Sequence, residues 1–177
     1  MLRMLLAGVV ALTVATPASA GLLGATVNVS AYFPDAATLF YDPGNAVVGA
    51  SVEYPQGSYP SYNDSWEVDV SDDRVKITDT LGVGLSFAPA AFNGFILTVV
   101  SGPSIVSASI DAASTIVPVG VSVSGGRLFM NFAGVSEQAF GSGIVTFVTG
   151  DVPVPAPATP ALLGMGLVAL GGRRRFG

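Results

Sequence analysis

The stretch Trp66-Glu67-Val68-Asp69-Val70-Ser71-Asp72-Asp73-Arg74-Val75-Lys76-Ile77-Thr78 decides the fold. Trp66, Val68 and Val70 alternate with Glu67, Asp69 and Ser71, and beyond Asp72 and Asp73 the apolar positions Val75 and Ile77 alternate with Arg74, Lys76 and Thr78. Successive strand side chains point to opposite faces, so the pattern predicts two strands, each with one apolar and one charged face, joined at the two aspartates. An antiparallel hairpin with one side in water reads this way. Arg74 and Lys76 are expected across from Glu67 and Asp69, pairings worth roughly a few tenths of a kcal/mol each. Trp66 shares its alternation with two valines, which makes it core rather than a platform for sugar stacking.

The same signals recur on both sides of the hairpin. Before it, residues 25–33 alternate around Val27 and Val29, residues 38–41 form a short strand closed by Asp42-Pro43-Gly44-Asn45, and residues 46–54 read as a third strand. After it, residues 95–100 are a continuous apolar run, residues 105–110 and 144–149 are further strands, and Gly125-Gly126 joins an alternating strand at 119–124 to another at 127–132. No helical stripe interrupts them. Nine or ten short strands at spacings near ten residues predict an all-β fold, an antiparallel β-sandwich of jelly-roll or immunoglobulin-like kind. Its expected core includes Trp66, Val68, Val70, Phe95, Leu97, Val121, Phe129 and Phe147.

The two ends read differently from this body. Residues 1–20 carry Arg3, then an apolar run, then the small-residue site Ala18-Ser19-Ala20, the pattern of a signal peptide cut between Ala20 and Gly21 by signal peptidase. At the other end, residues 152–160 are a proline-rich spacer unable to join a sheet, and residues 161–172 are uncharged and apolar. As a hydrophobic helix the latter would span about 18 Å against a hydrocarbon core of about 30 Å. Arg173, Arg174 and Arg175 follow and are expected to stay on the cytoplasmic side. The chain thus divides into a signal peptide at 1–20, a body at 21–151 and a tail at 152–177.

Pro155-Ala156-Pro157, the apolar segment from Ala161 and the cluster Arg173 to Arg175 resemble the PEP-CTERM sorting signal. In that family a Pro-Glu-Pro box, a short transmembrane helix and a basic tail are recognised by an exosortase, in Gram-negative bacteria that make exopolysaccharide. Here Ala156 stands where the family usually has Glu. Some members bear the label ice-binding protein C-terminal domain, which describes the tail. The resemblance covers about the last 25 residues. It implies export, an inner-membrane intermediate held by the tail, cutting by an exosortase-like protease, and a final place at the cell surface or in the extracellular matrix. Tyr32-Phe33-Pro34-Asp35 and Ala91-Phe92-Asn93-Gly94-Phe95 are similar to strand phrases of other β-rich exported proteins with such a tail.

Composition narrows the chemistry. The body holds all 12 acidic residues but only Arg74, Lys76 and Arg127 of the 7 basic ones, a net charge of −9. Nucleic acid is excluded as a partner, because it needs a basic footprint. With no cysteine the body has no disulfide, and with no histidine or cysteine the Ser-His-Asp, Cys-His and His/Cys zinc sites are excluded. No cofactor is implied. Asp64, Glu67, Asp69, Asp72 and Asp73 are the candidates for calcium, which accepts six to eight oxygen ligands in irregular geometry. The plainer account of them is a solvated acidic edge that keeps sheets apart. Tyr54, Tyr59 and Tyr62 in the loop after the third strand are candidate stacking faces for carbohydrate. The expected function is therefore a non-enzymatic surface or exopolysaccharide-matrix protein, with a carbohydrate- or calcium-binding module as the alternative.

Overall fold

The computed structural model describes residues 21–60, 65–82, 84, 86–136 and 139–150. Its elements are strands throughout: β1 (Thr26–Tyr32), β2 (Leu39–Tyr41), β3 (Asn45–Val47), β4 (Trp66–Val70), β5 (Arg74–Asp79), β6 (Gly94–Ser101), β7 (Ser104–Ile110), β8 (Gly120–Ser124), β9 (Arg127–Asn131) and β10 (Ser142–Gly150). All pairings are antiparallel. One sheet has the order β2-β1-β6-β9-β8 with β3 also on β1, and the other has the order β4-β5-β10-β7. The two sheets pack around one apolar core, a sandwich-like all-β fold as expected from the strand pattern.

The hairpin folds as its alternation dictates. Val70 pairs with Val75, Val68 with Ile77 and Asp69 with Lys76. Val68, Val70 and Val75 are completely buried. Glu67, however, faces Thr78 rather than a cation, and Arg74 lies 3.3 Å from Asp73, its neighbour in the turn. In this register Arg74 falls opposite Ser71, four positions from Glu67, and Ser71 N–H donates to the Arg74 carbonyl at 2.9 Å.

Trp66 sits at the centre of an aromatic chain through the core. Its ring lies 5.5 Å from Phe87 and 6.0 Å from Phe95, Phe87 stacks on Phe132 at 5.0 Å, and Tyr59 meets Phe95 edge-on at 5.5 Å. Leu97 and Phe147 are buried as expected, and Val121 packs against the same core partly buried.

Phe129 is a correction. Gly125 and Gly126, both at positive φ, make the tight turn that pairs Leu128 with Val123 and Met130 with Val121. Those four side chains take the core face, and the period of two then sends Phe129 to the outer face of the sheet, where it is half-buried.

The third strand is also shorter than residues 46–54. It ends at Val47 because the Glu53 carboxylate folds the chain back, accepting Gly49 N–H at 2.9 Å with one oxygen and Val70 N–H at 2.7 Å with the other. The chain returns to the other sheet at Tyr54, which bridges Val68.

That return explains the tyrosines. β3 covers Thr26 to Asn28 of β1 and β2 covers Ala31 and Tyr32, so the backbone at Val29 has no strand partner on that side. Buried polar backbone must be paired, and side chains fill the gap. Tyr59 donates its hydroxyl to Val29 C=O at 2.7 Å, while Tyr54 donates to Val27 C=O at 3.0 Å and accepts Val29 N–H at 3.2 Å. Tyr59→Phe is expected to lower stability by about 1–3 kcal/mol, since it strands a buried carbonyl without changing the ring. Urea unfolding measures it.

Candidate functional site

Among the described residues, those proposed from sequence do not converge. Glu67 and Asp69 stand half-buried on the outer face of β4, Asp72 and Asp73 form the exposed β4–β5 turn, and Asp64 lies outside the described residues. Among the described residues no three acidic side chains approach closely enough to hold a metal ion. Asp73 is engaged by Arg74, and Asp72 accepts Leu23 N–H at 3.0 Å.

Two of the three candidate tyrosines offer no stacking face. Tyr54 and Tyr59 are 3% and 0% exposed, their rings 6.2 Å apart in the core, and Tyr62 lies outside the described residues. Burial pushes the Tyr54 phenol up to about 12, and the nearby charges of Asp42 and Glu53 add to the effect.

The outer face of the six-stranded sheet carries the groups that sequence reasoning missed. The Arg127 guanidinium lies 5.4 Å from the Phe129 ring centre and 6.0 Å from that of Tyr32, and donates to Thr98 Oγ1 at 3.2 Å and the Tyr32 hydroxyl at 3.3 Å. Phe92 meets Phe129 edge-on at 6.4 Å, beside an open groove of about 310 Å³ bounded by Ala36, Val121 and Asn131. Farther along the face, Asp42 accepts from Asn28 at 2.7 Å, Gly44 N–H at 2.8 Å and Ser30 at 3.2 Å. The Asn28 bond first, then that of Gly44, holds the Asp42 carboxyl below its ordinary value. The cross-strand row Asn28, Thr98, Arg127 places these groups together, and only the pairing order reveals it.

Residues 21–23 lie against the β4–β5 turn. Leu22 is completely buried, and its N–H donates to the Asp72 carbonyl at 3.1 Å. Gly21 lies so tightly against Asp72 that a Cβ there would fall inside the carboxylate. Ala20, Pro155, Ala156, Pro157, Arg173, Arg174 and Arg175 lie outside the described residues.

At the opposite corner, Asp79 is a buried acid that the sequence did not single out. It is 1% exposed and accepts three amides, Gly82 at 3.0 Å and Leu81 at 3.2 Å on one oxygen and Phe140 at 3.3 Å on the other. It ties the segment after β5 to the segment before β10.

Among the described residues no helix is long and apolar enough to cross a membrane. No protein-family model, curated protein or solved structure matches this chain.

Proposed function

We propose that the chain is an exported, non-enzymatic protein of the cell surface or exopolysaccharide matrix, sorted by an exosortase-type system. The delivered part is the β-sandwich, of immunoglobulin-like or jelly-roll kind. Its connections β3–β4, β5–β6, β6–β7, β7–β8 and β9–β10 all cross between the sheets, as in such sandwiches.

One observation supports the reading most. The described strands run from Thr26 to Gly150 and close both sheets on one apolar core within the body 21–151. Both ends of this body also leave from the same end of the sandwich. Leu22 bonds to Asp72 in the β4–β5 turn, and β10 runs past that turn, with Phe147 N–H donating to Asp73 C=O at 2.8 Å, before it ends at Gly150. A tail holding the body at a membrane and a leader drawing it through would act from one side.

In this account signal peptidase cuts after Ala20, the apolar segment 161–172 holds the chain at the inner membrane with Arg173 to Arg175 inside, and an exosortase-like protease cuts near Pro155 to Pro157. Arginine is expensive to carry across a bilayer, so the cluster halts translocation. Fractionation of cells expressing the full chain tests this. Wild type is expected at the surface or in the medium without its tail. Deleting Arg173 to Arg175 is expected to release uncut chain, and Pro155→Gly with Pro157→Gly to leave it in the inner membrane. Full-length wild-type protein in the cytoplasm overturns the reading.

A further inference from the structure

The β4–β5 turn presents a carboxylate that lacks a cation. Of the body's three basic residues, Arg74 lies against Asp73 at 3.3 Å, Lys76 is opposite Asp69 in the hairpin register, and Arg127 is on the other sheet over Tyr32 and Phe129. Among the described residues no ion pair reaches Asp72. What surrounds Asp72 is backbone: Leu23 N–H on its carboxylate at 3.0 Å, Leu22 N–H on its carbonyl at 3.1 Å, and Gly21 pressed against the carboxylate itself. A residue's nitrogen is one bond from its Cα, as a Cβ would be, so the Gly21 nitrogen is within about 4 Å of that carboxylate.

In the uncut chain this nitrogen is a neutral amide. Hydrolysis of the Ala20–Gly21 bond gives the hydroxyl of water to the Ala20 carbonyl carbon and a proton to the Gly21 nitrogen. The new amine takes up a second proton at neutral pH, since free α-amines titrate near about 7.7–8.0. We infer that the β4–β5 turn is the seat of the mature N-terminus, in which the Gly21 α-ammonium pairs with the Asp72 carboxylate and fixes Leu22 in the core.

The cation missing from the turn is thus made by processing. A side chain at position 21 displaces the Asp72 carboxylate, and with it the bond to Leu23. The inference rests on the export reading for the position of the cut, and on the geometry of Gly21 and Asp72 for the pairing. Asp73 and Arg74 are the other charged groups of the turn, and their mutual pairing leaves Asp72 to the amine.

The chain from Gly21 to Gly177 is prepared with a free amino terminus, the same chain is N-acetylated, and each is made with and without Asp72→Asn, all in mild detergent. NMR titration of the isotopically dimethylated amine is expected to show it about half a unit or more above the same amine in Asp72→Asn. Acetylation and Asp72→Asn are each expected to lower Tm by about 2 °C, and the two together by no more than one alone. An amine that titrates identically in the wild-type chain and in the Asp72→Asn variant overturns the seat, as do losses in Tm that add. These measurements do not depend on where the cell cuts. Exported chains that begin elsewhere than Gly21 count against the cut alone, while chains that begin at Gly21 but fail the titration count against the seat alone.

Discussion

Trp66→Ala is expected to destabilise the protein by about 3–5 kcal/mol, the range for truncating a large buried aromatic side chain. The indole is 1% exposed and fills the space between Phe87 and Phe95, so alanine leaves a void lined by rings that cannot all move inward. Phe95 also supports Tyr59, whose hydroxyl closes the backbone gap at Val29. The loss therefore spreads from one sheet to the other. Urea unfolding is expected to show a lower midpoint with an unchanged slope. Trp66→Phe keeps an aromatic ring in the space and is expected to cost less than Trp66→Ala. A loss below about 1 kcal/mol for the alanine variant is outside the range for a core aromatic and contradicts this packing.

Asp79→Ala is expected to cost about 2–4 kcal/mol. A hydrogen bond to a charged group contributes about 1.5–3 kcal/mol, and a buried donor left without a partner costs about 1–3 kcal/mol. Alanine removes the acceptor from three amides at once, those of Leu81, Gly82 and Phe140. Asp79→Asn retains one carbonyl oxygen, enough for Leu81 and Gly82, and is expected to lose roughly half as much. Hydrogen exchange reads the mechanism directly. The Leu81, Gly82 and Phe140 amides are expected to lose protection together in Asp79→Ala, whereas only Phe140 loses it in Asp79→Asn. Unchanged protection at all three in the alanine variant contradicts the assignment.

Much of the fold is legible because its rules are local. The alternation from Trp66 to Ile77 and the two aspartates between its halves specify a hairpin, and Gly125-Gly126 specifies another. What alternation cannot supply is which face of a later strand turns inward, because that depends on pairing with distant residues. Phe129 departs from expectation for this reason, its register being set by Val121 and Val123 across the turn. The length of β3 depends on Glu53, whose carboxylate spans the gap to Val70.

The candidate site is less legible than the fold. Tyr54 and Tyr59 sit in a polar stretch that reads as a surface loop, and only the break between β2 and β3 shows why their hydroxyls are needed inside. Asp79 ends a strand whose other charges face water, and nothing in its neighbours marks it as the buried one. Ala18-Ser19-Ala20 marks Gly21 only as the residue after an expected cut, and its fit against Asp72 joins residues about fifty positions apart.

Intact mass measurement of the chain recovered from the surface or medium fraction tests the account most directly. It is expected to find a polypeptide that begins at Gly21 and ends near Pro155 to Pro157, without Arg173, Arg174 and Arg175. A secreted form that retains residues 1–20, or one that still ends in Gly177, would contradict it.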